Sequence, residues 1–385
     1  MQDENYDLVI VGGGIHGLMI GLQAAESGHR ALLLEKDKLA AGATGGWYRI
    51  LHGGLRYLQS LDMRRFRASL EDSRWFLRSF PDLVSRQAFL MPLYGEGLKR
   101  PCVFRAAFLM ERSIGPDRNR GVPQEKRIPS GRVLSPAATR DAFPGARSEG
   151  LLGGAHWEEL VVPDSNALIA ALAERARAAG LDIREGQEVT GVEFEAEHVT
   201  AVRCGAGKIG AMRVILAAGY ATQALAESVD PTCRARFGFP ANAFNLMVKK
   251  DFPATSGLSL SVPGDAGGMI FLYPSEGKTF LGTGYIPVDC SHPDTEVSEE
   301  AIARFLARCN LACPGLDARP EDVTSVSRGM LPAAAPSSLK LLDRDVIHDH
   351  GAEGGPRGLV SLSSIKFTTA PSVARRVLRC AFAAG

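Results

Sequence analysis

The sequence has almost no net charge: 44 Lys and Arg stand against 43 Asp and Glu, leaving +1. A surface so balanced offers no basic field to a polyanion, so nucleic acid is not an expected partner. Long apolar runs are also missing; all fall far short of the roughly 20 residues that cross a bilayer. The first residues, Met1-Gln2-Asp3-Glu4-Asn5, are acidic and lead straight into a strand pattern, unlike a secretion signal. Cysteine is sparse: seven residues, an odd and scattered set, exclude a disulfide framework and fit a reduced compartment. The expected location is the cytoplasm. Internal repeats and low-complexity tails are absent. What remains is an ordinary globular composition, 45% hydrophobic over 385 residues, enough for two domains with substantial cores.

Against that plain background the N-terminus is highly patterned. Residues 6–11, Tyr-Asp-Leu-Val-Ile-Val, read as a buried strand. Gly12-Gly13-Gly14-Ile15-His16-Gly17 follows at once, then a helix over 15–27 ending at Gly28. A second strand over 30–34 ends at Glu35, beside Lys36. This is a βαβ unit with G-x-G-x-x-G at its first turn and an acid about twenty residues on, a dinucleotide-binding fingerprint. Gly12 makes the tight turn, Gly14 admits a pyrophosphate, and Gly17 permits close helix packing. Amides around Ile15 and His16 at the helix start hold the anion, with His16 a spacer rather than a catalyst. Glu35 accepts from ribose hydroxyls and disfavours a 2′-phosphate.

Three later segments favour FAD over NAD. Ala43-Thr44-Gly45-Gly46 is a small, polar turn suited to a second stretch of pyrophosphate and to the flavin ring. Arg213 to Gly219 reads as a strand ending in Ala218-Gly219, similar to the "ATG" strand of flavoproteins. Residues 181–189 resemble the strand whose final valine, here Val189, pairs through its backbone with adenine.

The next motif, Leu51-His52-Gly53-Gly54-Leu55-Arg56-Tyr57-Leu58, places a base, a fixed cation and a phenol close together. Oxidising an alcohol with flavin moves a hydride from carbon to N5 and a proton from the hydroxyl to a base. His52 is the candidate base. Arg56 could clamp an anionic substrate, and Tyr57 could line the pocket. Reduced flavin also needs a positive neighbour, and Ser364-Ile365-Lys366-Phe367-Thr368 supplies Lys366. Thr369 reads as the N-cap of a final helix over 371–383, with Pro371 in its first turn.

Asp7 to Gly17, Thr44, and above all His52 to Leu58 resemble the FAD-dependent glycerol-3-phosphate dehydrogenases and oxidases of the D-amino-acid-oxidase-like superfamily. Lys99-Arg100-Pro101 through Met110, and residues 361–369, are similar to further family segments, so the likeness covers nearly the whole chain. It implies an α/β fold: a Rossmann-like FAD-binding domain (1–70, 150–220 and 325–385) and a mixed-sheet α+β substrate domain (71–149 and 221–324). It also implies roles for His52, Arg56 and Lys366, and flavin contacts from Leu51 and from 364–368. This chain stops one helix after that motif, so no counterpart of the family's helical C-terminal domain is expected.

Two departures matter. Ser364 and Ile365 stand where the family has two glycines, and Ile365 would crowd a backbone passing the flavin. Leu331, in Arg328-Gly329-Met330-Leu331-Pro332, stands where the family has a phosphate-binding arginine. Arg328 could substitute only if the strand were bulged or twisted, because residues three apart face opposite sides. The expected activity is oxidation of a C–OH bond on a small anionic substrate other than glycerol 3-phosphate, with oxygen or quinone as acceptor. The alternatives are C–N oxidation and a flavin-binding scaffold without turnover.

Other features read as structural. Residues 98–112 mix bases with apolar residues; burial of the apolar face is expected over membrane-surface contact. Cys309 and Cys313 share a helix face and read as packing. His348-Asp349-His350 looks like a metal pair but is set in a polar, glycine-rich segment, so no metal site is expected.

Overall fold

The computed structural model describes residues 5–55, 57, 62–114, 119–233, 235–262, 268–288, 296–336 and 338–383. A six-stranded sheet forms the dinucleotide half. Its order is Val346–Asp349, Leu359–Ser363, Val214–Leu216, Leu8–Val11, Ala31–Glu35 and Asp182–Glu185. All neighbours run parallel except the edge strand Val346–Asp349. The apolar run at 8–11 lies in the centre because both of its faces are covered. Leu8 and Ile10 pack with helices Ile15–Glu26, Ser165–Ala178 and Ala370–Ala381. Val9 and Val11 face a four-stranded sheet carrying Val192, Val199 and Val202. Alternation with period two thus splits one strand between two cores.

The pattern read as one strand over 6–11 is two. Asn5–Tyr6 pairs with Gly207–Ala211 in the four-stranded sheet, and the chain passes to the six-stranded sheet at Leu8. The segment 181–189 is likewise divided. Asp182–Glu185 belongs to the six-stranded sheet, whereas Val189 begins a strand of the four-stranded one.

A nine-stranded mixed sheet forms the other half. Its main path runs Val323–Ala333, Phe239–Val248, Lys278–Pro287, Met269–Ser275, Gly257–Ser261, Ser85–Leu93, Gly153–Val161 and Ile50–Leu51, with Arg132–Leu134 beside Gly153–Val161. Met269–Ser275 and Lys278–Pro287 form a hairpin that turns at Glu276-Gly277, both with positive φ. Helix Glu299–Ala312 is capped by Ser298 and buries Phe305 and Cys309 against this sheet. Segments 1–70, 150–220 and 325–385 supply every strand of the six-stranded sheet, but Ile50–Leu51, Gly153–Val161 and most of Val323–Ala333 cross into the nine-stranded one. Helix Pro101–Ile114 buries Phe104, Ala107 and Phe108 and leaves Leu109 exposed. Among the described residues no helix is long and apolar enough to cross a membrane.

Helix Met63–Ser79, capped by Asp62, exposes Arg64 and Arg67 and turns Phe66, Leu70 and Phe76 inward. One buried residue on it is charged by type. Asp72 accepts from Ser372 Oγ at 2.5 Å, and Arg375 lies 3.6 Å away. Burial raises its pKa from 3.8 to about 7, outweighing the hydrogen bond from Ser372 and the charge of Arg375. The folded state therefore holds the proton more tightly than the unfolded chain. The stability contributed is present below pH 4 and is lost as pH rises through 7, up to about 4 kcal/mol. Asp72→Asn keeps an acceptor for Ser372 and removes the titration. Its thermal midpoint should exceed that of the parent protein at pH 8 and match it near pH 4; equal midpoints at pH 8 would contradict a raised pKa.

Candidate active site

The strand Leu8–Val11 delivers Gly12 to the C-terminal edge of the parallel sheet, where nucleotide sites of such folds lie. Gly12 has φ +111°, and a Cβ there would lie 2.6 Å from the Ala217 carbonyl oxygen. This close approach joins the first turn to Ala217-Ala218, and Gly219 turns the chain away with φ +62°. A methyl on Gly17 would overlap the carbonyl oxygen of Gly12, so helix Ile15–Glu26 rests directly on the turn. No side chain caps that helix at Gly14. Its N-terminal amides, with their dipole, form an anion-binding end. Thr44 Oγ accepts from the Ile15 amide at 3.0 Å, which fixes the 43–46 turn beside Gly14.

Glu35 ends its strand as expected. Its carboxylate accepts from the amides of Gly13 (2.6 Å) and Asp37 (2.9 Å). Lys36 is exposed and pairs with Asp37 at 2.7 Å, a bond that raises its pKa. The Gln187 amide donates to the Glu35 carbonyl, which ties the approach to Val189 to this edge. Val189 itself is buried. Burial lowers the His16 pKa to about 4 despite the charge of Asp345. A neutral imidazole adds no positive charge to an anion site, which agrees with a spacer.

The turn Ala43 to Gly46 also touches the second half. Methyl groups on Gly46 and Gly329 would overlap Arg328 and Ala43 respectively, so turn and strand interlock. The Asn245 amide donates to the Gly46 carbonyl at 2.8 Å. Gly45 is exposed beside it.

Beyond this turn, Ile50–Leu51 pairs antiparallel with Gly153–Val161, Leu51 opposite Leu160. Continuing that register sets His52 beside Glu159. His52 Nδ1 lies 3.8 Å from Glu159 Oε1; the imidazole is half exposed, the carboxylate buried. Glu159 also accepts from the Gly53 amide at 2.6 Å and from Trp157 Nε1 at 3.0 Å. Burial pushes the carboxyl up, but His52, the Gly53 amide and Trp157 together outweigh it and hold the pKa below the usual carboxylate range. Sequence reading missed Glu159. Its signal was an acid in phase with Trp157 and Val161, on the otherwise apolar side of its strand.

The C-terminal motif closes on the same place. The His52 amide donates to Thr368 Oγ at 3.2 Å. Lys366 Nζ donates to the Tyr57 hydroxyl and lies 4.6 Å from its ring centroid. Ser364 donates to Asp345 at 2.8 Å, and Ile365 is half-buried. Phe367 stacks on Trp47 with centroids 3.6 Å apart, so its side chain belongs to the core, and only its backbone is left to face a cofactor. Leu51 is buried in the same core. The final helix, Ala370–Ala381, has Thr369 at its N-cap and proline in its first turn, but the threonine hydroxyl donates back to the Lys366 carbonyl and makes no cap bond.

Arg56 lies outside the described residues, as do Leu58 to Leu61. Arg328 and Leu331 are described. Their strand pairs with Phe239–Val248 in unbroken register from Arg328 opposite Phe244 to Leu331 opposite Ala241. The bulge that would turn Arg328 to the Leu331 side is absent from this stretch, and the two emerge on opposite faces.

A fold with a nucleotide edge on one sheet and a roofing sheet carrying a His–Glu pair defines a dinucleotide-dependent oxidoreductase. Residues 7–379 match the family model "DAO: FAD dependent oxidoreductase", and the chain belongs to that family. It is 30% identical over 386 residues to glycerol-3-phosphate dehydrogenase 1 of Mycobacterium bovis, covering 97% of this chain and 72% of that protein. The fold is similar to glycerol-3-phosphate dehydrogenase of Bacillus halodurans complexed with FAD (TM-score 0.69, 21% identity, 99% of this chain and 65% of that one). It is also similar to NikD, an amino acid oxidase (TM-score 0.72, 21% identity, 98% and 94%).

The cofactor is therefore FAD, and the residues fit it: the side-chain-free edge at Gly12 and Gly14, the helix N-terminus behind it, and the acid at Glu35. Gly17→Ala should yield protein with little bound flavin, read as the ratio of visible to ultraviolet absorbance. Full flavin content would show that the helix does not need this contact.

Proposed function

We propose that this FAD-dependent oxidoreductase oxidises a C–OH bond of a small anionic substrate, with His52 as the base. The observation that carries the reading is the His52–Glu159 pair: a half-exposed imidazole backed by a buried carboxylate with two further polar contacts. The substrate hydroxyl gives its proton to His52, and Glu159 stabilises the imidazolium that forms. FAD, when bound, takes up the hydride equivalent at N5. Gly12, Gly14, Ile15, Gly17, Glu35, Thr44, Ala218 and Gly219 would hold it; Lys366 and the start of the last helix would supply positive charge to balance the reduced ring. Lys366, Tyr57 and Arg56 receive the anionic substrate.

Glycerol 3-phosphate is not the favoured substrate. Leu331 replaces the arginine that the family resemblance implies, and Arg328 leaves its strand on the opposite face. Removing one partner of a partly desolvated charge pair costs several kcal/mol.

Under anaerobic conditions a small hydroxy acid should bleach the flavin faster than glycerol 3-phosphate does. Fastest reduction by glycerol 3-phosphate would overturn the inference from Leu331, and reduction by amines alone would replace alcohol oxidation with C–N oxidation. His52→Ala should slow reduction by about 10²–10⁴-fold. Glu159→Gln, which changes a positioning residue, should slow it by roughly 10–100-fold with flavin content unchanged. Loss of flavin in Glu159→Gln with an unaltered rate per bound FAD would mark a structural role instead.

A further inference from the structure

Four donor side chains outside the flavin site converge in the dinucleotide half. Asp230 and Cys233 come from the turn after helix Thr222–Val229; His348 and His350 come from the edge strand Val346–Asp349 and the residue after it. The histidines do not lie in an exposed polar segment, as their sequence setting suggested. His350 and Cys233 are fully buried, His348 is 3% exposed and Asp230 8%. We propose that Asp230, Cys233, His348 and His350 form a closed tetrahedral site for a borderline divalent cation, zinc by chemistry.

Geometry carries the assignment. One donor atom from each residue lies within 4.8 Å of all the others. His350 Nδ1 is 3.1 Å from Asp230 Oδ2 and 3.7 Å from Cys233 Sγ. Cys233 Sγ is 3.4 Å from Asp230 Oδ2, and His348 Nε2 is 4.0 Å from it. Ligands about 2.0–2.3 Å from a tetrahedral ion stand roughly 3.3–3.8 Å apart, so the Asp230, Cys233 and His350 donors are already near that spacing and His348 stands outside it.

A second observation points to a ligand. His348 Nε2 is buried without a hydrogen-bond partner. Hydrogen bonds alone account for the other three: the Cys233 thiol and His350 Nδ1–H can both donate to Asp230. They leave His348 Nε2 unsatisfied, at the usual penalty for a buried polar atom. A cation at the centre uses that lone pair.

The surrounding groups suit this use. His350 Nε2 is 2.8 Å from Ser361 Oγ, so Nε2–H can donate there and leave the Nδ1 lone pair inward. Both Arg236 (2.9 Å) and Glu353 (3.2 Å) approach His348 Nδ1. Metal binding calls for Nδ1–H to donate to Glu353, with Arg236 Nη1 turned wholly to that carboxylate, which Nη1 and Nη2 already grip at 2.8 Å; Nε2 then offers its lone pair to the metal. Asp230 Oδ1 is held by the Thr232 amide at 3.0 Å and by its hydroxyl at 2.5 Å, leaving Oδ2 for the ion. One thiolate and one carboxylate neutralise a divalent charge in a buried place. Sulfur and nitrogen donors exclude magnesium and calcium, which require oxygen.

With four protein ligands the site is closed and its role is structural. It ties the edge strand to the turn that leads into Phe239–Val248, the strand passing to the nine-stranded sheet. The donors sit on the sheet's edge strand, with Leu359–Ser363 and Val214–Leu216 between it and Leu8–Val11, the strand that leads to Gly12. Metal removal should therefore lower the thermal midpoint while leaving the bound-flavin spectrum unchanged.

The test uses the purified flavoprotein, loaded with zinc or cobalt and then dialysed. The expected result is one metal per chain by elemental analysis, with cobalt giving visible tetrahedral bands and a thiolate charge-transfer band. Cys233→Ser should abolish the charge-transfer band, and His348→Ala should weaken zinc binding by roughly tenfold or more. Failure of the parent protein to retain substoichiometric amounts or more of either metal would overturn the proposal, whether or not the variants fold. So would a cobalt spectrum that Cys233→Ser leaves unaltered.

Discussion

The active-site region hangs on the buried carboxylate of Glu159. It holds the Gly53 amide and the Trp157 indole and faces the His52 imidazole. An ionised group taken out of water must be surrounded by donors, because its desolvation otherwise exceeds any single attraction. Apart from the Trp157 indole on its own strand, those donors are the backbone and side chain of the histidine motif itself. The carboxylate therefore fixes where the chain runs after Leu51, and with it the imidazole and the amide that binds Thr368.

Around this point the two halves meet through backbone as well as side chains. Gly46 against Arg328, and Gly329 against Ala43, leave no room for a methyl group. The turn that lies beside Gly14 is thereby bolted to the roofing sheet, and Asn245 adds a hydrogen bond to Gly46. Such contacts give precision without apolar area, since atoms at van der Waals distance resist displacement in every direction. A nucleotide edge and a proton-handling pair from different sheets are held in one frame by this interlock.

The fold was largely legible. Strand, glycine turn, helix and acid follow one another within 35 residues, and each is a local pattern with its own physical cause. The start and end of the first helix and the start of the last were legible for the same reason. Splits of single apolar runs were not. Residues 6–11 read as one strand, and only the partners on either side decide that Tyr6 and Leu8–Val11 join different sheets.

The sequence by itself determined the chemistry on offer: a dinucleotide turn, an imidazole at 52, a lysine at 366, and a leucine at 331 in place of a cation. Local order encodes those because each is a residue type at a short spacing. Tertiary structure decided what the residues face. It set Glu159 behind His52, sent Phe367 into the core against Trp47, and kept Arg328 on the face opposite Leu331. It also gathered Asp230 and Cys233 to His348 and His350 across more than a hundred residues of chain. Side-chain direction and burial depend on contacts between distant segments, and spacing along one strand carries no information about them.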